Sequence, residues 1–170
     1  MPKNVLITGV PGVGKTTLIK RLLKDLTPLV VRGFYKENII ENNIKRGVRV
    51  VTTELVEQIL AHIYIEGPDR IDDFGVNLKG FEDLVLPHLS LTSGVELFVI
   101  DEIGKMECLS DKFCKQVEII LDSKIPLLAT LTIADIPGVR KIKKRKDIKI
   151  IQMTFKNRDS LWKNVLMELG

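Results

Sequence analysis

Asn4-Val5-Leu6-Ile7-Thr8-Gly9-Val10-Pro11-Gly12-Val13-Gly14-Lys15-Thr16-Thr17 decides how this chain of 170 residues is read. Gly9 to Thr16 matches G-x-x-x-x-G-K-[ST] at every fixed position. The same string could be a glycine turn ahead of an ordinary helix, so its flanks carry the argument. Asn4 to Thr8 is a short apolar run of strand type. Beyond the motif, Leu18, Leu22 and Leu26 recur at helical spacing, with Lys20, Arg21 and Lys24 between them. Strand, glycine loop and one-sided helix is the order a polyphosphate cradle requires. Glycines allow the backbone from Gly9 to Thr17 to turn its N–H groups inward, and the helix N-terminus adds the positive end of its dipole. Lys15 would reach the outer phosphates, and the Thr16 hydroxyl would ligate Mg²⁺.

Working outward, the chain alternates strands and helices. Leu29-Val30-Val31 opens a second strand. From Gly33 to Thr53 strand-like runs surround a polar reversal at Asn42-Asn43, with Val48 to Val51 as the returning arm. Glu54 to Ile65 fits a helix or a third arm. Gly67-Pro68-Asp69 marks a turn, and Asn77 caps a helix carrying Leu78, Phe81, Leu84, Val85 and Leu89. Glu96 to Glu102 is a buried strand ending in two acids. Ser110 caps a helix with Phe113, Val117 and Ile120 as its stripe, and Ile125 to Leu131 is a buried strand entered through Pro126. A basic helical stretch follows Pro137. Ile148 to Met153 is the last strand, and Asn157 is read as the cap of a closing helix bearing Leu161, Val165 and Leu169. The pattern predicts an α/β three-layer sandwich, one domain over residues 1–170, with a mostly parallel sheet and an inserted antiparallel hairpin or meander.

In Leu97-Phe98-Val99-Ile100-Asp101-Glu102, four apolar residues deliver acids to a strand end. Ligands of open α/β sheets bind beyond the carboxyl ends of strands, where the glycine loop also lies. Asp101 is thereby placed to hold Mg²⁺ through a water beside Thr16, and Glu102 to prepare an attacking water. In P-loop proteins with an additional strand between the two motif strands, that strand ends in a polar residue near the γ-phosphate. Thr130 and Thr132 stand suitably, although β-branched residues also simply finish strands.

Asp101-Glu102-Ile103-Gly104-Lys105-Met106-Glu107, with Gly33-Phe34-Tyr35, Phe74-Gly75-Val76-Asn77 and Asn157-Arg158-Asp159, resembles the small thermophile-type P-loop nucleoside-triphosphatase family over nearly the whole chain. The resemblance implies a monomer-sized enzyme hydrolysing ATP, GTP and other nucleoside triphosphates with little base preference. It further implies a RecA-like sheet and a second nucleotide-contacting segment over Phe98, Val99, Ile100, Asp101, Glu102, Ile103, Gly104 and Lys105. Asp73 stands where the family usually carries a basic residue, and Thr132 where a histidine is common.

Several residues have competing readings. Lys105 and Glu107 are either phosphate-facing or a surface ion pair. Arg158 would stack on a base, which reads no hydrogen-bond pattern. Arg140 to Lys146 is a solvated basic helix, a nucleic-acid patch or the lid of a nucleotide kinase, the first being the commonest fate of such runs. Arg140, Arg145 and Arg158 are the candidates for an arginine finger in cis. His62 and His88 lack spaced partners and read as structural. Cys108 and Cys114 are too few and too close for a disulfide framework or a zinc site.

Composition bounds the rest. Hydrophobic residues at 45% and charged ones at 28% indicate a folded globular chain, and no apolar run is long enough to span a membrane. The first strand begins almost at once, leaving no room for a signal peptide, so the cytoplasm is expected. The net charge of +4 is spread along the chain and aromatics are only 5%, which makes nucleic acid a less favoured partner than nucleoside triphosphates.

Overall fold

The computed structural model describes residues 3–170. Its elements run β1 (Asn4–Thr8), α1 (Lys15–Asp25), β2 (Val31–Glu41), β3 (Ile44–Thr52), β4 (Glu57–His62), β5 (Arg70–Ile71), β6 (Phe74–Val76) and α2 (Leu78–His88). They continue through β7 (Leu97–Ile103), a 3₁₀ turn (Glu107–Leu109), α3 (Asp111–Asp122), β8 (Leu127–Leu131), α4 (Pro137–Lys143), β9 (Ile148–Gln152) and α5 (Leu161–Leu169). The nine strands of the described residues form one sheet in the order β5-β6-β4-β3-β2-β7-β8-β1-β9. The β2-β7-β8-β1-β9 part is parallel throughout. β8 lies between β1, which feeds the glycine loop, and β7, which ends in the acids. That is the additional-strand arrangement the sequence predicts.

Parallel strands covered on both faces must be apolar on both, and these are: Val5 to Ile7, Leu97 to Ile100 and Leu127 to Ala129 are all buried. Successive residues therefore feed opposite cores. Leu6, Phe34, Phe98, Ile100 and Ala129 face α2, α3 and α4, where Phe34, Phe81 and Phe113 meet edge-to-face. Val5, Ile7, Leu97, Val99 and Leu128 face α1 and α5, meeting Leu18, Ile19, Leu22 and Val165. Three layers result. Two predicted caps form: Asn77 Oδ1 accepts from Gly80 N at 3.0 Å, and Ser110 Oγ accepts from Phe113 N at 3.0 Å.

The insertion is larger than a hairpin. β2 pairs antiparallel with β3, β3 with β4, β4 with β6 and β6 with β5. Asn42 and Asn43 have φ of 50° and 60°, the two positive values of a tight primed turn, and asparagine tolerates them. The ambiguous stretch after Glu54 resolves as strand β4. Its helical period came from Leu55 and Ile59, both exposed, while Leu60 and Ala61 are buried one after the other at a register shift. β5 and β6 have no sequence signature, being two and three residues long around Asp72-Asp73.

One cap is corrected. α5 begins only at Leu161, and Asn157 instead ties the turn before it. Its Oδ1 accepts from Thr154 N at 2.8 Å and its Nδ2 donates to the Gln152 carbonyl at 2.9 Å. Asparagine satisfies backbone groups of a turn as readily as those of a helix end.

Candidate active site

β1 ends against the glycine loop, and Val13 is wholly buried beneath it, fixing the loop to the core. Gly12 and Gly14 have φ of 80° and 111°, a conformation that side-chain-bearing residues rarely adopt, so the loop curls without strain. Gly14 leads directly into α1. Lys15 Nζ lies back over the loop, donating to the Gly9 carbonyl at 2.7 Å and the Val10 carbonyl at 3.3 Å.

Across the cavity, Asp101 sits at the end of β7 with its carboxylate fully engaged. Thr16 Oγ1 donates to Oδ2 at 2.7 Å, Thr130 Oγ1 donates to Oδ1 at 2.6 Å, and the Lys36 amide donates to Oδ2 at 3.3 Å. A residue from the loop helix, one from the intervening strand and one from β2 thus converge on a single acid. Thr130 orients that acid. Thr132 lies farther out and accepts from the Ala134 amide at 3.2 Å. A cavity of about 410 Å³ joins Gly9, Pro11, Gly12, Gly14, Lys15, Thr16 and Thr17 to Lys36, Asn38, Lys45, Asp101, Glu102 and Thr132. Glycine loop and acids face one space.

A family model described as NTPase matches residues 4–166. The nucleoside-triphosphatase THEP1 of Thermotoga maritima is 42% identical over 167 residues, covering 98% of this chain and 95% of that one. The human cancer-related nucleoside-triphosphatase is 34% identical, covering 98% and 96%. The crystal structure of THEP1 from Aquifex aeolicus superposes with a TM-score of 0.89 at 33% identity, covering 98% of this chain and 99% of that one. The chain belongs to this nucleoside-triphosphatase family. Family membership and the additional-strand sheet agree with what the D-E-I-G-K-M-E string implies.

Within this family member, the segment from Phe98 to Lys105 divides by side chain. Phe98, Val99, Ile100 and Ile103 are buried in the two cores, and none of them lines the cavity. Asp101 and Glu102 do line it, and Lys105 lines an adjoining cleft with Met106, Ile71 and Ile133. Gly104 passes so close to Glu102 that a Cβ there would stand 2.7 Å from Glu102 Oε1.

The residue that sequence reasoning missed is Lys36. On β2, Tyr35 and Glu37 turn toward α1, whereas Phe34 and Lys36 turn toward the other core. Lys36 Nζ is consequently held between Glu102 Oε1 at 3.1 Å and the Glu107 carboxylate at 3.2 and 3.3 Å. Glu107 is therefore neither phosphate-facing nor on the surface; it is wholly buried. Burial works to lower the Lys36 pKa, but Glu107, Glu102 and Asp101 outweigh it and hold the ammonium above its ordinary range. One cation cannot satisfy both glutamates. Burial pushes Glu107 up to about 7, with Lys36 pulling the other way. Separations of 66 and 71 residues between Lys36 and the two glutamates helped to hide this contact.

A pH dependence follows. Unfolded, Glu107 titrates near 4.5; folded, near 7. Between these values the native chain binds the extra proton, so stability contributed by this group is full below about 4.5 and is lost as pH rises through about 7. The parent chain should lose roughly 1–3 kcal/mol more than Glu107→Gln between pH 5 and pH 8. Denaturant titration of both proteins at the two pH values checks it; equal changes would contradict it.

Other candidates fall elsewhere. Arg158 lines a separate cavity of about 370 Å³ behind the loop, with Gly14, Thr17, Arg21, Met153 and Trp162. Arg140 pairs with Asp135, Lys141 with Glu118, and Arg145 with Asp122 and Asp147. The basic run is largely a salt-bridged helix surface, and neither Arg140 nor Arg145 lines the cavity of the glycine loop. His88 Nδ1 lies 2.9 Å from the Leu84 carbonyl, and His62 Nδ1 accepts from the Tyr64 amide, both structural. Cys108 and Cys114 pack against Gly138 of α4 as free thiols. Among the described residues no group of three or more His, Cys, Asp or Glu side chains is placed to hold a metal, and no helix is long and apolar enough to cross a membrane.

Proposed function

We propose that this protein is a Mg²⁺-dependent nucleoside-triphosphatase, acting as a single-domain monomer over residues 1–170. It removes the terminal phosphate of ATP, GTP and other nucleoside triphosphates with broad base specificity. The observation that carries the reading is the 2.7 Å bond from Thr16 Oγ1 of the glycine loop to the Asp101 carboxylate. A hydroxyl and a carboxylate are hard oxygen donors, and two protein oxygens with the remainder from phosphate and water is the usual way Mg²⁺ is held at a nucleotide. Thr16 and Asp101 would hold it, Thr130 keeping Asp101 in place. Bound there, the ion neutralises charge on the phosphate oxygens.

The chain's own groups do the rest. Backbone amides from Gly9 to Thr17 cradle the phosphates, and Lys15 exchanges its loop carbonyls for phosphate oxygen. Glu102, restrained by Lys36, accepts a proton from the attacking water as the bond between the γ-phosphorus and the bridging oxygen breaks. The cavity behind the loop suits a base lying against the Arg158 guanidinium, which would grip any base by its face.

Phosphate release measured with ATP, GTP, CTP and UTP tests this. The four rates should agree within about tenfold, and excess EDTA should remove nearly all of each. Label from γ-labelled ATP appearing in an ester of an added nucleoside or nucleotide would instead make the protein a kinase. Turnover unaffected by EDTA would refute the metal assignment.

A further inference from the structure

The β2–β3 hairpin carries a bulge with a consequence at the loop cavity. Lys36 opposes Val50, Asn38 opposes Val48, and Ile39 opposes Gly47, but Ile40 opposes Lys45. One extra residue, Arg46, therefore stands on β3. Had the register continued unbroken, Arg46 would oppose Ile40; the bulge puts Lys45 there instead, on the face that carries Lys36, Asn38 and Val48. Its Nζ lies over the Phe74 ring at 5.5 Å from the centroid, and it lines the cavity containing Pro11, Lys15, Thr16 and Glu102.

The other cations of this wall are engaged. Lys15 donates to loop carbonyls, Lys20 pairs with Glu37, and Lys36 with Glu102 and Glu107. Lys105 lines only the adjoining cleft. Among the described residues Lys45 makes no salt bridge and no side-chain hydrogen bond, although Asp72 lines the same cleft. Burial and the neighbouring Lys36 charge both lower its pKa. An ammonium at the mouth of the cavity, beside another cation and with no carboxylate on it, is favoured by an anion arriving from outside the chain.

We infer that Lys45 is the cation that the inserted sheet supplies, in cis, to the terminal phosphate of the bound nucleotide. It touches the γ-phosphoryl oxygens and stabilises charge as the phosphoryl group transfers, the place no arginine of the chain fills in the loop cavity. The inference rests on the nucleotide lying in the glycine loop as proposed above. It gives the insertion a catalytic reason: among the described residues lining the loop cavity, Lys45 is the one ammonium besides Lys15 that no carboxylate holds.

Lys45→Gln and Lys45→Arg, compared with the parent for turnover and for binding of ADP and of the non-hydrolysable β,γ-imido analogue of ATP, test it. Lys45→Gln should lower kcat on the order of 10²–10³-fold and weaken the imido triphosphate by about tenfold, leaving ADP affinity unchanged. Lys45→Arg should recover most of the loss. A kcat within about twofold of the parent, or equal weakening of ADP and the triphosphate, would overturn the assignment. Lys15→Ala distinguishes the levels. If it abolishes triphosphate binding while Lys45→Gln changes nothing, only this inference fails; if Lys15→Ala leaves binding intact, the loop reading fails.

Discussion

Glu102→Gln is expected to lower kcat for phosphate release by about 10²- to 10⁴-fold with little change in triphosphate affinity. The amide keeps the shape and still accepts a hydrogen bond from Lys36, 3.1 Å from the parent carboxylate, but it cannot take a proton from water. The adjacent Asp101 retains its three donors, so Thr16, Asp101 and the loop are undisturbed. A loss confined to kcat marks a group used in the transition state rather than in binding. Steady-state hydrolysis and calorimetric binding of a non-hydrolysable triphosphate provide both numbers. Hydrolysis at the parent rate would remove Glu102 from its role and leave the water without a base.

Lys36→Met should be the costliest single change to stability near the site. It keeps most of the side-chain volume but strands Glu107, which is wholly buried, without its cation. Removing one partner of a buried pair costs about 3–5 kcal/mol. Protonation of Glu107 relieves part of that cost, so the destabilisation should be larger at pH 8 than at pH 5. Adding Glu107→Gln should restore a substantial part at pH 8. The same variant releases Glu102, so kcat should also fall, on the order of tenfold, in both the single and the double variant. Denaturation midpoints at the two pH values, with turnover beside them, check this. A Lys36→Met protein as stable as the parent at pH 8 would show that the buried triad is not formed.

How much of this was visible in the residues alone depends on the range of the interaction. The glycine loop is local: strand, turn and helix N-terminus are contiguous, so eight residues and their flanks suffice. The acid-tipped strand is also local, and its relation to the loop follows from the rule that ligands gather at the carboxyl ends of parallel strands. Even Thr130 was accessible, because an intervening strand has only one end at the site. Lys36 was not. It lies in the middle of an inserted strand, its chemistry depends on a 3₁₀ turn seventy residues later, and strand alternation alone does not say which face will be the acidic one. Lys45 was further out of reach, since an unseen bulge changes which residue of β3 faces the cavity. Asn157 shows the opposite error, a cap signal that is chemically sound but spent on a turn one step before the helix. Phe98 to Ile100 show that part of a segment expected to contact nucleotide can spend its side chains on the core.

On the proposed function, the glycine loop and the acids of β7 grip one metal-bound triphosphate tail. A crystal structure of the protein with Mg²⁺ and the β,γ-imido analogue of ATP is the decisive check. Phosphates should lie within the loop, with Lys15 turned from the Gly9 carbonyl to phosphate oxygen, the ion on Thr16 beside Asp101, and Glu102 facing the γ-phosphorus. Triphosphate bound away from the loop, or an ion held by other residues, would contradict it.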